Sequence, residues 1–208
     1  MMLLESLTVY AAYLNGSLTL ACGAWLLYLY AKKELETLPI LLWGVAFVLY
    51  GLEILVRTFG FFNLSVSLCM IMTVFFVLGL SLILQRVLLI NSVTLLVFVA
   101  AFILLFAGHG ELSSAIGILY FYITMTVGSI VIINKYGPEV YPLLLGWVML
   151  LVSNTFLIYM YPNPVTDIDC SVAKVIFTLG ARRLESLMPR ELRIRRYIEM
   201  VKRLFGSK

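Results

Sequence analysis

One lysine dominates the search of this chain for chemistry. Lys174 sits about halfway along the last apolar stretch, Val165 to Ala181, in the company of Asp167 and Asp169. An ammonium at that depth costs roughly 2.5 kcal/mol or more to insert, so it needs a partner or a use. A carboxylate on a neighbouring helix would make it a structural tether; a ligand, an ion or a proton would make it a site. Asp167 precedes Lys174 by seven residues and shares its face two turns away, whereas Asp169 is rotated off that face. Glu53 and Arg57 lie four apart on one helical face. They read as a helix-stabilising ion pair, and the functional alternative makes Glu53 the counter-ion of Lys174 or a proton carrier.

Depth groups these residues. At roughly 1.5 Å per residue, Lys174 lies about 15 Å inside the outer boundary, level with Asn15, Tyr50, Tyr120 and Tyr122. Glu53 and Asn154 fall nearer the outer surface. Lipid satisfies none of these groups, so they are expected to face inward and find one another. The candidate ligand- or ion-binding set is therefore Lys174, Glu53, Tyr50, Asn154, Asp169 and Asn15. Ser171 and Lys174 are three apart, a spacing common to helical neighbours and thin support for a catalytic dyad. His109, between glycines, reads as a solvated loop residue. There is no HExxH, no Asp-rich metal box, no G-x-S-x-G and no G-x-G-D pair. Cys22, Cys69 and Cys170 form no CxxC and no Cys/His cluster, so neither a disulfide framework nor a zinc site is indicated. The expectation is a non-enzymatic protein with no metal and no cofactor demanded by its own motifs.

The elements that position these residues follow from composition. The 208 residues are 62% hydrophobic and 12% charged, with mean hydropathy +1.04, which excludes a soluble domain. Apolar runs of spanning length recur from end to end and are apolar all round, unlike the alternation of a membrane barrel. Seven spans are expected, at about 7–31, 38–59, 64–84, 88–107, 112–134, 140–161 and 165–181. The first lacks a basic leader and a small-residue cleavage site and reads as a retained helix. Pro162 and Pro164 stop the sixth.

Charge then orients the chain. Lys32, Lys33, Arg86, Lys135 and nine Lys/Arg from Arg182 to Lys208 fall on one side of a seven-span arrangement. Glu5, Glu111, Asp167 and Asp169 fall on the other, with Arg57 as its only Lys or Arg. This places the N-terminus outside and the C-terminus in the cytoplasm of a multi-pass plasma-membrane protein. Six spans would move the cationic tail outside and destroy the pattern. The net charge of +4 is thus concentrated beside a membrane exit, which reads as headgroup contact and not as nucleic-acid binding.

The fold class expected is all-α: a seven-transmembrane-helix bundle over residues 1–181 and a basic amphipathic cytoplasmic tail helix over 182–208. In the tail, Ile194, Tyr197, Ile198, Val201, Leu204 and Phe205 form one apolar stripe. Arg182, Arg183, Arg193, Arg195, Arg196, Lys202 and Arg203 are its expected contacts to anionic lipid headgroups, to a membrane-protein partner or to a second copy of the chain. A repeat is also visible: at an offset of 103 residues Lys32, Glu36 and Pro39 align with Lys135, Glu139 and Pro142. It equates spans one and two with five and six, in a 3+1+3 plan. A single glutamine, one histidine and an Arg-rich tail fit a thermophilic source.

At Ala173-Lys174-Val175-x-Phe177-x-Leu179 the chain resembles the last helix of microbial rhodopsins, and Ala46-Phe47-x-x-Tyr50 is similar to their second helix. The resemblance implies retinal as a Schiff base on Lys174 and Tyr50 as a pocket residue. The pattern departs from that family in span three, which has no Arg or Asp, and at Cys170, where the family carries an acid. The plan is also similar to seven-helix sensory modules of archaeal membrane proteins. It resembles sugar carriers of the PQ-loop type too, though without their Pro-Gln pairs. Three functional expectations follow: a sensor or transducer with a small apolar or ionic ligand near Lys174, a small-solute or proton-coupled ion transporter, and a structural subunit of a larger membrane complex.

Overall fold

The computed structural model describes residues 2–32, 34–159 and 164–188. Those residues form seven α-helices: α1 (Met2–Ala31), α2 (Leu38–Thr58), α3 (Phe62–Leu84), α4 (Val87–Phe106), α5 (Gly110–Tyr136), α6 (Tyr141–Tyr159) and α7 (Pro164–Leu187). A single 3-10 turn, Pro138–Val140, leads into α6. Among the described residues there is no strand. Three stretches of the described residues are long and apolar enough to cross a membrane: Leu38–Thr58, Leu64–Leu84 and Ala115–Tyr136. Leu89–Leu104 and Pro138–Ser153 are shorter apolar helical stretches.

The links between helices are short, so consecutive helices pack side by side. The α1–α2, α2–α3, α5–α6 and α6–α7 contacts, with α3 against α5 and α7 against α1, close a ring. Helix α4 sits outside it, against α3 and α5. Its outward face is correspondingly bare: Leu96 is 70% exposed and Phe106 is 87% exposed. The ring interior is filled by aromatic side chains from four helices, chiefly Trp43, Phe76, Trp147 and Phe177, all fully buried.

Glycines set the closest seams. A Cβ on Gly23 would lie 2.7 Å from the Val48 nitrogen, and one on Gly51 would lie 2.8 Å from the Leu20 nitrogen. Side chains at these positions would push α1 and α2 apart, so the missing Cβ atoms let the backbones touch. Asn15 precedes Gly16, where a Cβ would meet the Leu55 side chain at 2.8 Å, and Tyr50 precedes Gly51, so both lie along this one narrow interface.

The end of α7 differs most from expectation. Helix α7 runs on to Leu187, so Arg182 and Arg183 occupy its last turns and not a separate tail. The continuation has a local cause: the α7 turns beyond Ala181 still bury Leu184, and Glu185 ties to the α1–α2 link. The rest of the tail helix expected over 182–208, from residue 189 on, lies outside the described residues.

A second internal match emerges once the helices are in place. Cys69, Val74, Phe76, Leu78 and Gly79 of α3 recur as Cys170, Val175, Phe177, Leu179 and Gly180 of α7, displaced by 101 residues. Pro39 and Pro142, the pair that marked the first match, each occupy the second position of their helix. The matched phenylalanines meet at the ring centre with centroids 6.3 Å apart. Each also packs on the tryptophan of the opposite half, Trp43 on Phe177 at 5.2 Å and Trp147 on Phe76 at 5.4 Å.

Candidate functional site

The Lys174 side chain is fully buried where α7 meets α1 and α2. Its ammonium donates to Asn15 Oδ1 at 2.6 Å and to Thr19 Oγ1 at 2.9 Å. The nitrogen also stands 4.1 Å from the centroid of the Tyr50 ring. An ammonium has three donors, and two neutral oxygens with one aromatic face account for all of them. Among the described residues no carboxylate forms a direct ion pair with Lys174.

A carboxylate is reached one step further out. Asn15 Nδ2 donates to Asp167 Oδ1 at 2.8 Å, so the amide gives its oxygen to the cation and its nitrogen to the anion. This orientation is dictated by charge, because the flipped amide would aim N–H at an ammonium. Asp167 is therefore linked to Lys174 through Asn15. The Thr19 hydroxyl in turn donates to the Asn15 carbonyl at 2.6 Å. It acts as both acceptor from Lys174 and donor to its own helix.

Tyr50 carries the network onward. Its hydroxyl hydrogen-bonds the Tyr122 hydroxyl at 2.7 Å, which joins α2 to α5. Beyond this pair lies a small cavity of about 30 Å³ lined by Tyr50, Glu53, Arg57, Cys69, Thr73 and Tyr122, among others. Glu53 is buried and accepts from the Ser65 hydroxyl at 2.7 Å, with Arg57 Nε 3.7 Å from the same oxygen. A volume of this size holds about one water molecule.

The expected site residues thus divide into separate groups. Asn15, Tyr50 and Lys174 come together. Glu53 does not pair with Lys174; its contacts are Arg57 and Ser65, because the i,i+4 partner on its own helix and the start of α3 are nearer. Asp169 is also elsewhere, accepting from the Ser153 hydroxyl and tying α7 to α6. The rotation of Asp169 off the Lys174 face accounts for that. Tyr120 points away from the cluster and bonds Thr94 at 2.6 Å. Asn154 lies in α6, and its side chain is outside the described residues. So are Arg193, Arg195, Arg196, Lys202 and Arg203. Arg182 and Arg183 are exposed at the end of α7.

Two participants escaped the sequence reading although a signal existed. Thr19 is one turn beyond Asn15 on the same face of α1. Glu185 is three turns beyond Lys174 on the same face of α7, and it accepts from the backbone N–H of Glu36 at 2.7 Å and of Thr37 at 3.0 Å. The Thr37 hydroxyl also donates to it. Lys174 and Glu185 therefore hold α1 and α2 at two levels along one edge of α7.

The implied retinal does not fit this packing. The Lys174 nitrogen is enclosed by Asn15, Thr19 and Tyr50. The ring centre beyond it is filled by the Trp43–Phe177–Trp147–Phe76 cluster. No family model, no curated protein and no solved structure matches the chain.

Proposed function

We propose that this chain is a non-enzymatic, multi-pass protein of the plasma membrane, a sensor or transducer whose seven helices span with the N-terminus outside and the C-terminus in the cytoplasm. The positive-inside distribution and the large apolar side chains turned outward support the topology. The 3+1+3 plan is supported by the two internal matches and by the ring in which α4 is the odd helix. The observation that carries the function is Lys174, buried and, among the described residues, without a direct carboxylate partner and held by Asn15, Thr19 and the Tyr50 ring.

Such an arrangement is poised to respond. A small apolar or ionic ligand that competes for the Asn15 oxygen or displaces Tyr50 changes the balance at Lys174. Helix α7 passes that change three turns along to Glu185, whose grip on the α1–α2 link sits at the cytoplasmic end. The single-water volume beside Glu53 favours sensing over passage of a solute.

The test uses a polarity-sensitive label at Ser186→Cys in the full chain. Lys174→Met, which keeps length and removes charge, shifts the label signal; Val172→Met, on the exposed side of α7, leaves it in place. An unchanged signal with Lys174→Met argues for a structural subunit. Solute-driven flux in liposomes that is lost with Lys174→Met argues for transport. Impermeant thiol reagents check the topology: cysteines placed at Arg86 and Lys135 should react only from the cytoplasmic side.

A further inference from the structure

Two apolar grooves flank the far end of α7 and meet on one residue. The larger, about 750 Å³, runs between α6 and α7 past Leu145, Ile176 and Leu179 to Arg182 and Arg183. The smaller, about 300 Å³, runs between α1 and α7 past Leu18, Cys22, Trp25, Val175 and Leu179. Leu179 is common to both and 51% exposed. Their volumes fall in the range of ligand sites. One turn beyond Leu179 stand the two guanidinium groups. Arg182 is 3.6 Å from Glu34 Oε2 and 5.6 Å from the Trp25 ring centroid, yet its side chain remains 53% exposed. Arg183 is exposed and makes no ion pair among the described residues. The nearby Glu185 is committed to the α1–α2 link.

We infer that this paired groove holds one diacyl anionic phospholipid, its phosphate on Arg182 and Arg183 and one acyl chain on each side of Leu179. The chemistry of these side chains matches that ligand part by part. Planar guanidinium forks suit phosphate oxygens. The walls below them are hydrocarbon, and their depth is one to two helical turns, or about 5–11 Å, the reach of a glycerol backbone and the upper acyl chains. A free anion would use the arginines and leave both walls bare. The inference rests on the membrane reading proposed above.

The experiment is native mass spectrometry of the detergent-purified full chain with palmitoyl-oleoyl phosphatidylglycerol and with the matching phosphatidylcholine. The wild type should retain phosphatidylglycerol about tenfold more tightly than phosphatidylcholine. Arg182→Gln/Arg183→Gln should bring the two lipids level, while Lys32→Gln, outside both grooves, should keep the preference. Leu179→Trp, which fills the junction, should weaken phosphatidylglycerol binding with both arginines intact. Inorganic phosphate at millimolar concentration should not compete. An undiminished preference in the double variant overturns the inference. So does competition by phosphate, or a second copy of the chain in place of lipid mass. Recovery of the chain in carbonate-washed membranes tests the membrane reading separately from the lipid ratio.

Discussion

Helices α3 and α7 carry the same sparse pattern, a cysteine, a valine, a phenylalanine, a leucine and a glycine in identical register, and they differ where it matters most. Lys174 of α7 corresponds to Thr73 of α3. Around Lys174, α1 supplies Asn15 and Thr19. At the positions matching these two by the 103-residue offset, α5 supplies Ile118 and Tyr122. Thr73, Ile118 and Tyr122 all line the small cavity beside Glu53. One half of the ring is therefore filled by a charged side chain and its partners. The other half, with a shorter side chain at the matched place, has room for about one water molecule. The two matched places thus differ at three positions, Lys174 against Thr73, Asn15 against Ile118 and Thr19 against Tyr122, and the cation comes with both of its neutral partners.

Three pairs of substitutions sharpen or break that comparison. The largest difference is expected at the matched polar position. Lys174→Ala empties a fully buried volume and strands Asn15 and Thr19, a loss of about 3 kcal/mol or more. Thr73→Ala removes a hydroxyl that donates to the Cys69 carbonyl of its own helix at 2.8 Å, a loss of about 1 kcal/mol. Thermal denaturation should separate the two by several degrees, since about 1 kcal/mol corresponds to roughly 2–4 °C for a chain of this size. Equal shifts would mean that Lys174 contributes no more than its counterpart.

The next difference lies at the matched glycines. A Cβ at Gly180 would meet the Leu143 backbone nitrogen at 2.5 Å, whereas at Gly79 the nearest atom is the side-chain Nε1 of Trp43, at 2.6 Å. Backbone yields less than a side chain, so Gly180→Ala should destabilise by about 1–3 kcal/mol and exceed Gly79→Ala. If Gly79→Ala proves the worse, the indole of Trp43 is held more rigidly than the α6 backbone.

The smallest concerns the two tryptophans. Trp43 Nε1 donates to the Phe76 carbonyl at 2.9 Å, while Trp147 Nε1 is buried with no hydrogen-bond partner among the described residues. Trp43→Phe should therefore cost about 1 kcal/mol more than Trp147→Phe, read as a difference in melting temperature. No difference would show that Trp147 finds a partner in solution.

Much of the helical framework was readable in advance. Runs of apolar residues set the seven helices, and proline, glycine and charge placed most of their ends to within a few residues, the start of α1 and the end of α7 excepted. The match of Pro39 with Pro142 was legible because proline is rare and positionally constrained. The match of α3 with α7 was harder to see among apolar letters, although a cysteine and a glycine marked it. Asn15 and Tyr50 were placed level with Lys174 by counting residues. Their convergence on it depended on rotation about each helix axis, which counting does not give.

The sequence by itself determined that this chain is helical, strongly apolar, and burdened with one deeply placed lysine. Helix length, local hydropathy and charge are properties of consecutive residues, so they are written in order along the chain. Only the tertiary structure decided the partners of that lysine. Glu53, the expected counter-ion, stays with Arg57 and Ser65. Asp167 reaches the ammonium through Asn15, and Glu185 closes the edge of α7 three turns away. Those outcomes follow from how closely the glycine seams let α1 approach α2 and how α7 is turned against both. Such distances and rotations arise between helices and have no signature within any one of them.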